Sequence, residues 1–137
     1  MDPINPSMVY YLKKDQIENY KLSALSGNAS AAYKLYKYYS MLTNQVFESN
    51  LWLYISAKLG DKIALQNWDY SLEHKQLDKN KIFILSTEQI LSLKGQKNNA
   101  LALFLLYRYY TAIKDLKTAD IYLQKIPNKT VSPKLLK

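Results

Sequence analysis

Apolar residues recur every three to four positions along most of the chain, the spacing that lines one face of a helix. Three stretches share a finer rhythm. Ala31, Leu35 and Tyr39 lie four apart, as do Ala64, Trp68 and Leu72, and again Ala102, Leu106 and Tyr110. A small residue followed by two large ones at i, i+4 and i+8 makes a face that lets a neighbouring helix approach closely at one end. The first and third stretches carry near-identical segments, "LYKYY" at 35–39 and "LYRYY" at 106–110.

The punctuation between these faces also repeats. The chain has three glycines, Gly27, Gly60 and Gly95, and each follows a helix-like segment: "YKLSALSG", "LYISAKLG" and "ILSLKG". Glycine just past a helix is the expected C-terminal cap, because it enters the left-handed region at little steric cost. Superposing the first two glycines also pairs Leu22 with Ile55, Ser23 with Ser56 and Ala24 with Ala57. In the register set by "LYRYY", Asn98 rather than Gly95 takes the third turn position.

These signals predict an all-α fold, an α/α superhelical repeat of seven helices in about three pairs. The helices are expected over 7–26, 29–42, 47–59, 62–75, 79–94, 98–112 and 116–126. Asn5-Pro6 or Ser7 would start the first, and Pro127 would stop the last. The whole of 1–137 reads as one domain, with 1–6 a lead-in and 128–137 a basic, flexible tail.

Composition narrows the classes of function. The chain carries a formal charge of +8, and residues 93–137 hold eight lysines and Arg108 against two aspartates. There is no cysteine, which excludes disulfides, thiol catalysis and thiolate metal sites. No signal peptide and no membrane-spanning run is legible, so a cytoplasmic setting without membrane contact is expected. His74 is the only histidine, and its context "LEHKQL" reads as a helix-end residue. Asp15 with Glu18, and Asp69 with Glu73, are carboxylate pairs at helical spacing among lysines, the pattern of solvated faces rather than a general acid and base. Neither a phosphate loop nor a nucleophile elbow occurs. The expectation is no enzyme, no metal and no cofactor.

The segment "GNASAAYKLYKYY…NLWLYISAKLGDKIAL", Gly27 to Leu65, resembles the Sel-one-like repeat, a relative of the tetratricopeptide repeat. Gly27, Ala31, Leu35, Tyr39, Trp52, Ala57 and Gly60 stand where that family's pattern places its glycines, alanines, leucine, tyrosine and tryptophan. The pattern departs at the loop "SMLTNQVFES" and at Leu51 and Ser56. The resemblance implies an α/α superhelix used as a protein-binding scaffold.

In such a scaffold the first helix of each pair lines the concave surface. The candidate partner contacts are therefore Tyr33, Lys34, Tyr36, Lys37, Asn67, Tyr70, Phe104, Tyr107 and Arg108, as aromatic anchors with a basic rim. Tyr39 and Tyr110 are assigned to the repeat core. The expected partner is another protein, with acidic surfaces favoured by charge. Shortness and the absence of catalytic groups narrow the expectation to an immunity or inhibitor protein that blocks a toxin or effector. A general adaptor and a basic nucleic-acid-binding repeat remain the alternatives, the latter weakened by the single arginine.

Overall fold

A computed structural model describes residues 9–137. Among them are seven α-helices: α1 (Lys14–Leu25), α2 (Ala29–Leu42), α3 (Val46–Lys58), α4 (Lys62–Glu73), α5 (Thr87–Lys94), α6 (Ala100–Ala112) and α7 (Leu116–Lys125). A 3-10 turn, Pro133–Leu135, follows. The fold is all-α, and chain neighbours pack pairwise from α1 through α4 and from α5 through α7.

The repeat is written in the helix caps. Asn28, Asp61 and Asn99 each accept a hydrogen bond from the backbone N–H three residues on, at Ala31, Ala64 and Ala102, over 2.9–3.1 Å. Those three alanines are the small residues of the four-residue rhythm, and all are buried. A short polar side chain here satisfies one of the N–H groups that a helix start leaves without a partner.

The turns repeat less faithfully. Gly27 and Gly60 take φ of 125° and 101°. Asn28 N–H donates to Ser23 O and Asp61 N–H to Ser56 O, the 6→1 bond of a Schellman closure. This explains why Ser23 and Ser56 align. Gly27 and Gly60 sit one residue past Ser26 and Leu59, which follow their helices, whereas Gly95 directly follows Lys94 with φ −71°, so the left-handed cap expected there does not form. Two other helices close through a left-handed lysine: Lys75 after α4, with φ 55° and Gln76 N–H donating to Ser71 O at 2.8 Å, and Lys114 after α6, with φ 63° and Asp115 N–H donating to Tyr110 O at 2.9 Å. A side chain in this region costs about 1–2 kcal/mol. Lys114→Gly is therefore expected to raise stability by about 0.5–1 kcal/mol after the added freedom of the unfolded chain is subtracted. The check is a higher urea midpoint with an unchanged m-value.

Three boundaries differ from the sequence expectation. Among the described residues the first helix starts at Lys14, where Lys13 N–H donates to the Gln16 side chain at 2.9 Å. The proposed starts at Asn5-Pro6 and Ser7, and the lead-in 1–6, lie outside the described residues. The helix expected over 79–94 begins only at Thr87, because Ser86 and Gln89 form a reciprocal capping box, each side chain accepting from the other's N–H. The preceding stretch is irregular, yet it buries Ile82, Phe83 and Leu85.

The third difference is the C-terminus. The stretch 128–137, expected to fray, is docked. Leu135 has no exposed surface, and Val131 and Ser132 are buried. Ser132 N–H donates to O of Leu25, the last residue of α1, at 2.6 Å. Apolar residues in "VSPKLL" find a site that only the packed helices create. One core results, in which Leu25, Leu35, Trp52, Phe83, Phe104 and Leu135 belong to the same cluster. α6 also packs against α1, which draws the C-terminal helices back onto the N-terminal ones.

Candidate functional site

The exposed side of α2 carries the best-assembled set of candidate residues. With Ala31, Leu35 and Tyr39 turned inward, the helix period carries Ser30, Tyr33, Lys34 and Lys37 to the far side. There they meet Tyr20 of α1 and the stretch 9–12 that precedes it. Val9, Tyr10, Leu12 and Tyr20 form the opposite wall of an open groove of about 400 Å³.

Cation–π contacts organise this groove. The Lys37 ammonium lies 5.5 Å from the Tyr33 ring centroid and 5.7 Å from those of Tyr10 and Tyr36. The Lys34 ammonium lies 5.1 Å over the Tyr20 ring and 3.5 Å from its hydroxyl. Tyr33 and Tyr36 are themselves tilted against each other, with centroids 5.9 Å apart. Ring faces attract ammonium groups but leave their charge uncompensated. Among the described residues no carboxylate lines the groove, and the one ion pair among them, Lys21 with Glu18 at 3.7 Å, lies elsewhere.

The remaining candidates do not join this surface. Tyr70 of α4 is half-exposed and stacks on His74, with centroids 3.9 Å apart. Asn67 is partly buried one turn earlier. His74 terminates the helix, its Nδ1 2.9 Å from Tyr70 O, the helix-end role its context suggests. Phe104 is fully buried and meets Phe83 edge-on at 6.1 Å. It is a core residue, not a contact. One face of α6 was expected to be open, but the returning loop and tail cover it.

Tyr107 and Arg108 serve that same closure. The Tyr107 hydroxyl donates to Leu136 O at 3.1 Å. The Arg108 guanidinium lies 4.6 Å over Phe83 and 5.5 Å over Tyr54, holding the irregular 77–86 stretch to α6. Arg108 Nε is buried with no hydrogen-bond partner.

Tyr39 and Tyr110 behave as repeat scaffold. Each meets its preceding tyrosine edge-on at 5.1 Å. Each also faces a lysine from the preceding helix, Lys21 at 6.0 Å and Lys94 at 5.7 Å. Burial pushes the Tyr39 phenol above its ordinary pKa, and the Tyr110 hydroxyl holds Lys94 above its own. Tyr110 is only partly buried and stacks on Tyr122 of α7 at 5.6 Å.

Sequence reasoning missed Tyr10 and Tyr20. Both stand outside the repeat register, and no spacing in the sequence connects them to Lys34 or Lys37. Among the described residues no helix is long and apolar enough to cross a membrane. Comparisons of the chain with family models, curated proteins and solved structures return no match. The Sel-one-like resemblance thus rests on its residues alone.

Proposed function

We propose that the protein is a non-catalytic helical-repeat protein that binds another protein through the tyrosine–lysine groove of α1 and α2. The supporting observation is the groove's charge: Lys34 and Lys37 line it, and among the described residues no carboxylate does. A partner that places Asp or Glu there gains charge-assisted contacts, while Tyr10, Tyr20 and Tyr33 offer ring area to neighbouring apolar groups. Binding at such a surface is steered by charge and weakens with salt. Within this class, an inhibitor or immunity protein acting on an acidic toxin or effector in the cytoplasm is the reading we favour. A general adaptor would bind its partner without suppressing the partner's activity.

The test is a double charge reversal, Lys34→Glu with Lys37→Glu. Both side chains reach solvent, so thermal melting should stay near wild type. Affinity for an acidic protein partner should fall about tenfold or more, measured by calorimetry at two salt concentrations. Undiminished binding by the folded double variant would overturn the reading. Loss of RNA or DNA binding instead would point to the nucleic-acid alternative.

A further inference from the structure

A second groove, sharing no lining residue with the first, runs between α3, α5 and α6 and encloses about 430 Å³. One wall of it is α5. This helix follows the irregular stretch after α4, buries none of its own residues and packs against α6. The floor is core: Leu51, Trp52, Ala102 and Leu105 are all buried there, and Leu85 closes one end. That volume lies within the range of sites that accept a small ligand or a few side chains, about 300–1,000 Å³.

The rim determines what kind of group would fit. Its amide side chains are engaged internally: Gln89 accepts from Ser86 N–H, Asn99 accepts from Ala102 N–H, and Gln96 donates to Ser92 O. Lys21 is taken up by Glu18. Of the charged groups, Glu48 and Glu88 remain. Both line the groove, and neither has a lysine, arginine or histidine nitrogen within 4.0 Å among the described residues. Each sits in the first turn of its helix, where the helix dipole favours a negative charge. An apolar trough edged by two carboxylates thus lies on a chain whose net charge is +8.

We propose that this groove docks a basic amphipathic segment of a partner protein. Its apolar side chains would rest on Leu51, Leu85 and Leu105, and its lysine or arginine would pair with Glu48 or Glu88. The site is separate from the tyrosine–lysine groove and complementary to the opposite charge.

Trp52 lines the groove, and the chain's other tryptophan is Trp68, so a Trp68→Phe background leaves one indole to report on it. The probes are two amphipathic peptides of equal length, one of leucine and lysine and one of leucine and glutamate. Net charge alone would favour the acidic peptide. The expected result is the reverse: the leucine–lysine peptide shifts Trp52 emission saturably, and the leucine–glutamate peptide does not. Glu48→Gln with Glu88→Gln should raise the dissociation constant about fivefold. Ser92→Phe, at an exposed lining position, should block the response while circular dichroism stays unchanged. No saturable response, an equal or larger response to the acidic peptide, or unaltered binding by the Ser92→Phe variant would each overturn the proposal. Lys34→Glu with Lys37→Glu leaves this response intact, so failure at one groove is distinguishable from failure at the other.

Discussion

Phe104→Ala is expected to lower folding stability by about 3–5 kcal/mol. The side chain is fully buried and packs edge-on against Phe83 within the cluster that also contains Trp52 and Leu35. Truncation removes both its transfer free energy and its contacts, and the loop carrying Phe83 loses the ring beneath it. A domain of ordinary stability has about 5–15 kcal/mol in total, so the variant would sit near the folding threshold. Urea unfolding followed by far-ultraviolet circular dichroism gives the number. An unchanged midpoint, together with weaker partner binding, would return Phe104 to the surface role that the repeat pattern suggested.

Leu135→Ala should cost about 2–5 kcal/mol, a large effect for a residue two positions from the end of the sequence. Leu135 has no exposed surface, and the chain around it is held on both sides. Ser132 N–H donates to Leu25 O, and the Tyr107 hydroxyl donates to Leu136 O. Exposed Lys134 and Lys137 provide the controls: alanine at either should stay within about 0.5 kcal/mol of wild type. Equal, small effects at all three positions would mean that the tail is frayed. The same experiment tests Tyr107, because Tyr107→Phe removes one hydrogen bond and should cost about 0.5–1.5 kcal/mol.

The fold was more legible than the site, and particular residues show why. Asn28, Asp61 and Asn99 announce helix starts through bonds to residues only three positions away. Gly27 and Gly60 announce helix ends in the same local way. Ser86 with Gln89 carried the same kind of signal, and reading that box would have moved the start of α5 from 79 to 87. Lys114 could not be read, because nothing about a lysine advertises a left-handed backbone. The site was legible in part. Tyr33, Lys34, Tyr36 and Lys37 do cluster, but Phe104, Tyr107 and Arg108 were assigned outward by helix phase alone. Phase gives the direction of a side chain and not what arrives to cover it.

What the sequence determined by itself is an all-helical chain with a repeated cap-and-face unit, since caps, turns and the four-residue rhythm act within about five residues. The tertiary structure alone decided which outward faces remained open. Tyr20 reaches Lys34 from fourteen residues away, and Leu136 reaches Tyr107 from twenty-nine. Those contacts leave Tyr33 and Lys34 on an open groove and bury their α6 counterparts, Phe104 and Leu105, just ahead of the five residues that the two helices nearly share. The difference comes from long-range packing: the tail and the 77–86 loop bring apolar side chains to α6, whereas the wall facing Lys34 and Lys37 is built of tyrosine rings that leave their charge open to a partner.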